Sequence, residues 1–185
     1  MDYSNHLTWN VPRLDVPKKT LELIRNQPLR GTDSWLPLAL LRLEIVHLRL
    51  NDFPNAIEVL QEAVGLYEKL NHLSWAAQAQ LLLAEVARLR GEHSVAFQLY
   101  SEAYKRFEDV NDTRHMAACL RGTGITYFQV NRLSEALQMN SAAQKTYSPD
   151  DYTCITDCER DLGRIYCVHN HTESIRLSTK ARDYT

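Results

Sequence analysis

Glycine and proline are scarce: the 185-residue chain has six of each. A sheet-rich chain of this length would need many turn residues, and a collagen-like or low-complexity chain far more glycine and proline. An excess of one charge is lacking too. Twenty-one Lys and Arg stand against 23 Asp and Glu, a net charge of −2, so there is no basic surplus to neutralise the phosphates of a nucleic acid. No apolar run reaches about 18 residues, the length a membrane-spanning helix requires. Residues 1–10 lack the basic-then-apolar pattern of a secretory signal. The expectation is a cytoplasmic protein with neither nucleic acid nor membrane as partner. Its four cysteines, Cys119, Cys154, Cys158 and Cys167, are then expected as reduced thiols and not as a disulfide framework. What the chain does have is 44% apolar residues, enough for a core and too many for a disordered segment.

Those residues recur with a fixed offset. Ala56, Ala96 and Ala136 are forty apart, as are Ala63, Ala103 and Ala143. The aromatics Tyr67, Phe107 and Tyr147 keep the same step, followed by Asn71, Asn111 and Asp151. Trp35 and Trp75 are forty apart, each after a serine, and Asn51, Gly91 and Asn131 mark one turn in successive units. Small falls on small and aromatic on aromatic, which is the signature of an internal repeat. A fourth unit fits at an offset of 39, with Ile175 and Arg182 where the two alanines should stand.

Each unit reads as two helices. In residues 94–110 the apolar positions Ala96, Leu99, Tyr100, Ala103, Tyr104, Phe107 and Val110 have the three-four spacing of an amphipathic helix. Residues 36–50 are apolar almost all round, as suits an inner helix touching neighbours on several sides. Asn, Gly and Asp signals separate the helices, at residues 51–52, 71–72, 90–92, 111–112, 131–132 and 148–150. The alanines are expected where two antiparallel helices approach closely, with Ala84, Gly124 and Gly163 facing them; an internal glycine costs a helix about 1 kcal/mol relative to alanine, so both glycines are expected at closest contact. Residues 1–32 read as a tail and one capping helix, begun near Pro17 and ended by Pro28. The array then occupies residues 33–185, in units at about 34–71, 74–111, 114–151 and 153–185.

Gly124-x-x-Tyr127 followed by Ala136 and Ala143, Leu162-Gly163-x-x-Tyr166 followed by Ile175, and Phe53-x-x-Ala56-Ile57-x-x-Leu60-x-x-Ala63 resemble the first- and second-helix signatures of the tetratricopeptide repeat family. The resemblance covers residues 34–184. The family's usual unit is about 34 residues, and a unit of forty is similar to the longer-helix versions in spindle-orientation scaffolds, kinesin light chains and the sensor regions of signalling NTPases. Residues 117–124 look most like the last of these. The resemblance implies an all-α fold, a right-handed α-solenoid of about four helix-turn-helix repeats with an extra N-terminal helix. It also implies a concave face of first helices that binds a peptide or helix, with no catalysis and no cofactor.

Mapped onto this chain, that face carries Leu38, Leu41, Ile45 and Leu48 in the first unit and Gln78, Leu81, Glu85 and Arg88 in the second. The third gives Ala118, Arg121, Ile125 and Phe128, and the fourth Asp157, Arg160, Arg164 and Cys167. The groove would run from apolar to basic. Arg160 and Arg164, one turn apart, could offer adjacent guanidinium forks to an acidic peptide. The alternative is a solvated face in which Asp157, Glu159 and Asp161 balance the arginines. The apolar stretch from Leu38 to Leu48 could take an amphipathic helix, or be covered by the N-terminal helix. The carboxylate clamp of some family members, built from Lys and Asn, does not carry over, since Leu41 and Ile45 stand in its places.

Cys154, Cys158, Cys167, His169 and His171 invite a zinc reading, but the tight Cys-x-x-Cys spacing of structural sites is absent and Cys167 lies too far along the same helix to converge. No phosphate loop or nucleophile turn occurs, because the Gly122-Thr123-Gly124 stretch lies within a helix. The expected function is therefore a non-catalytic protein-interaction scaffold. The alternative is a sensor or self-association segment of a larger signalling protein. Ile175 and Leu177 near an uncapped last helix suggest homo-oligomers through the C-terminal end.

Overall fold

Left-handed residues recur every twenty positions from residue 71 to residue 131. Asn71, Gly91, Asn111 and Asn131 have φ of 57°, 78°, 55° and 60°, a conformation that glycine and asparagine adopt most readily. Each closes a helix. The next residue's N–H reaches back to a carbonyl five positions earlier: His72 to Tyr67, Glu92 to Ala87, Asp112 to Phe107 and Arg132 to Tyr127, all at 2.9 Å. That is the Schellman closure, which satisfies carbonyls the helix end would leave bare.

A computed structural model of the chain describes residues 52–182, with side chains from 52 to 171. Every element there is a helix: α1 (Phe53–Lys69), α2 (Leu73–Leu89), α3 (His93–Asp109), α4 (Thr113–Gln129), α5 (Leu133–Thr146) and α6 (Tyr152–Arg182). Helices α1 to α4 are each 17 residues long and are separated by three-residue turns. A helix and its turn thus advance the chain by twenty, and a pair of them gives the forty-residue period. The expected N-terminal helix, the first helix of unit one, and Leu38, Leu41, Ile45 and Leu48 lie outside the described residues.

The chain divides into two compact units, Met1–Val86 and Ala87–Thr185. In the described part of the first, α1 presents Ala56, Leu60, Ala63 and Tyr67 to Ala76, Ala79 and Val86 of α2, with Ile57, Val64, Leu82 and Leu83 packed around them. Pro54 sits in the first turn of α1, where no helical hydrogen bond is lost. Tyr67 and Trp75 stack with ring centres 6.0 Å apart.

The second unit repeats the scheme. Ala96, Tyr100, Ala103 and Phe107 are completely buried along α3, as are Ala136 and Ala143 on α5. The repeating alanines therefore lie in the core, as their register predicts. Asp112 caps α4 by accepting the His115 N–H at 3.1 Å, and the His115 ring stacks on Phe107 at 4.9 Å. A Cβ on Gly124 would run into the Asn140 side chain, with the Ala136 carbonyl oxygen 3.2 Å away. Gly124 is a close helix contact, as expected. Gly163 is not: nothing lies within 4 Å of where its Cβ would be, and the residue is exposed. The partner to Gly124 is instead Gly122, where a Cβ would strike the ring of Tyr100.

The fourth unit departs from the expected pair. α6 runs unbroken for 31 residues, straight through Asn170, which the offset of 39 aligns with the turn residue Asn131. A turn residue only permits a break; a returning helix must supply the packing that makes the break favourable. With Ile175 and Arg182 replacing both alanines, the sequence offers no methyl-sized contact for that return. α5 ends differently as well. Tyr147 is extended, and Ser148-Pro149-Asp150-Asp151 forms a turn closed by the Asp151 N–H to Ser148 carbonyl bond at 2.9 Å, with proline at its favoured second place.

Candidate functional site

Helices α4 and α6 share one face, and their charges are arranged in a chain. Arg121 of α4 donates from Nε to Asp161 Oδ2 at 2.8 Å and lies 3.4 Å from Asp157 Oδ2. Asp157 also receives Arg160 at 2.6 Å, and Arg164 approaches Asp161 at 3.8 Å. Asp161 is the anchor: only 6% of it is exposed, and the guanidinium groups of Arg121 and Arg164 both approach its carboxylate. Burial works against the charge of Arg121, but Asp161 and then Asp157 outweigh it and raise its pKa above the ordinary value.

Beside this network lies a cavity of about 380 Å³, lined by Arg88 from the last turn of α2, Ile125, Phe128 and Gln129 from α4, and Asp161, Arg164 and Ile165 from α6. The Arg164 guanidinium lies over the Phe128 ring, 5.7 Å from its centre, within reach of a cation–π contact. The cavity thus has an apolar floor and a cationic edge.

Of the site residues predicted from the sequence and described here, the structure gathers Arg88, Phe128 and Arg164 around this cavity. Arg121 stands apart, tied to Asp161 and Asp157 across the helix pair. Arg160 is exposed and paired with Asp157. Sequence reasoning gave Asp157 and Asp161 only a balancing part; the burial of Asp161 depends on α6 packing against α4, which a single helix's pattern does not show. Ile165, buried against Leu133 and Ala136, was findable by its three-four spacing with Leu162 and Cys158. The cysteines do not gather. Cys119 and Cys158 are buried, Cys154 is half-buried and Cys167 exposed, and no group of three or more metal-ligating side chains occurs among the described residues. Burial pushes the Cys158 thiol up to about 11, which keeps it protonated and unreactive. No helix of the described residues is long and apolar enough to cross a membrane.

Residues 75–148 match the family model of the tetratricopeptide repeat. Those residues carry tetratricopeptide repeats. No curated protein matches it by sequence. Solved structures do match it in fold. BtubC (BKLC) from P. vanneervenii superposes with a TM-score of 0.68 at 14% identity, over 90% of this chain and 72% of that one. A signal transduction ATPase with numerous domains from Pyrococcus horikoshii, which has a tetratricopeptide repeat sensor, gives 0.65 at 17% identity, over 84% of this chain. Aspartyl phosphate phosphatase F from Bacillus subtilis gives 0.69 at 12%, over 92%. The chain spans 24% of the ATPase's length and 47% of the phosphatase's. At these identities the likeness is one of fold: an all-α helical repeat.

Proposed function

We propose that this tetratricopeptide array is a non-catalytic interaction module. It binds a peptide or helix of a partner protein across α4 and α6, with an acidic side chain between Arg88 and Arg164 and an apolar neighbour on Phe128. The observation that carries this reading is the cavity that joins those three residues over Ile125 and Ile165. Arg121 is committed to Asp161 and Asp157, so its part is to hold α6 against α4, and Arg160 is paired with Asp157 on its own helix. Arg164 reaches its carboxylate only at 3.8 Å and is two-thirds exposed, which leaves its guanidinium available to a stronger bidentate acceptor.

The test is a panel of fluorescent twelve-residue peptides in which an acidic residue precedes an aromatic or aliphatic one, set against the same peptides with lysine in place of the acid. Acidic peptides bind, Arg164→Glu abolishes binding, and Phe128→Ala weakens it about tenfold. Equal binding of the lysine peptides, or indifference to Arg164→Glu, sinks the proposal.

A second reading is favoured by the likeness to the ATPase from Pyrococcus horikoshii with a tetratricopeptide repeat sensor: the array is the sensor segment of a larger signalling protein. Finding the array encoded next to an NTPase module would support it. Self-association through the C-terminal end involves residues from 172 onward, whose side chains lie outside the described residues.

A further inference from the structure

On another side of α4, a second cavity of about 390 Å³ opens between α3, α4 and α5, with walls that include Phe97, Tyr100, Tyr104, Thr123, Tyr127 and Met139. It shares no residue with the cavity of the groove. The repeat itself shows how unusual it is. One period earlier, these positions hold Ile57, Leu60, Val64, Leu83, Ala87 and Leu99. Four aliphatic residues have become aromatic, and Leu83 has become the smaller Thr123. The repeat pattern needs none of this, because the preceding repeat keeps the same alanines and turns with aliphatic residues in these places.

The exchange is compensated inside the wall. Tyr100 replaces Leu60, and the residue that faces it, Gly122, replaces Leu82. A Cβ on Gly122 would collide with the Tyr100 ring, so the glycine is what admits the larger side chain. Tyr100 is completely buried and therefore fixed. Tyr127 is held too, with the Phe97 ring centre at 4.5 Å and the Arg132 guanidinium 4.8 Å from its own ring centre. Tyr104, Phe97, Thr123 and Met139 are half-buried and open to a ligand. Lys105 and Glu108 stand at the rim. Pre-set aromatic walls favour a flat π-system, which they meet by offset stacking or edge-to-face contact, and the volume is that of a small-molecule site.

We infer that this pocket binds a planar aromatic small molecule of roughly one to two fused rings with a polar edge. The ring lies between Tyr104 and Tyr127, and its polar edge turns to the Lys105 and Glu108 rim.

The probe is naphthol, titrated into the full chain by protein-observed NMR and compared with its saturated counterpart, decahydronaphthol. Two variants carry the residue of the preceding repeat, Tyr104→Val and Thr123→Leu. The expected result is saturable one-to-one binding with ring-current shifts confined to α3, α4 and α5. Binding weakens about tenfold in each variant and for the saturated alcohol, while the acidic peptides of the groove bind the variants as before. No saturable binding of naphthol, undiminished binding by both variants, or equal binding of the saturated alcohol would overturn the inference. None of these outcomes touches the groove, which fails or stands on its own peptides.

Discussion

Gly122, Gly124 and Gly163 all lie within helices, yet alanine should act on them in opposite directions. At Gly163 the space is open, so Gly163→Ala gains helix propensity alone and raises stability by up to about 1 kcal/mol. At Gly122 and Gly124 the new methyl meets Tyr100 or Asn140, both completely buried, and overpacking costs about 1–3 kcal/mol. Urea denaturation of the three variants decides the matter; equal effects would refute the assigned contacts. The sequence places Gly124 and Gly163 in one register slot and so treats them alike, because register states which positions correspond and not what faces them. Cys158 gives a pH prediction. Its folded pKa is about 11, raised by burial from an ordinary value of 9.0. Unfolding therefore releases a proton above pH 9, and stability that is complete below that pH is lost as pH rises through 11. Burial raises Tyr147 in the same sense. Melting temperature should fall across that window, and less steeply in Cys158→Ala.

Helix boundaries were legible where a turn residue and a packing partner coincide. Asn71, Gly91, Asn111 and Asn131 are each followed by a helix that returns its alanines or apolar face to the core. At Asn170 the turn residue stands alone, and α6 continues through it. Local signals propose an end to a helix; burial on the return enforces it. The α4–α6 ion pair was less legible, because Arg121 and Asp161 are forty residues apart and their meeting is a tertiary event. It makes the next prediction. Arg121→Met leaves the buried Asp161 without its closest cation and lowers stability by about 1–3 kcal/mol. Adding Asp161→Leu removes the stranded charge and restores part of the loss. A double-mutant cycle by denaturation measures the coupling; additive effects would show that the pair contributes nothing beyond its separate residues.

Across the whole molecule, a net charge of −2 says little about binding, since charges are sorted by face. Around α4 and α6 three arginines meet two aspartates, and Arg88 adds a further cation at the cavity. Binding of an acidic peptide should therefore weaken as salt is raised from low to physiological strength, with the loss concentrated in the association rate. The forty-residue period made the repeat fold readable from the chain alone, because the alanines and aromatics recur in the core of each described unit. The aromatic pocket was not read, because repeats are recognised by what they share, and that site consists of what one repeat does differently. Hydrogen exchange on the full chain, saturated with an acidic peptide from the panel, tests the groove most directly. Protection should appear in α4 and the first half of α6, with α3 and α5 unchanged; exchange that stays the same in α4 and α6 would contradict it.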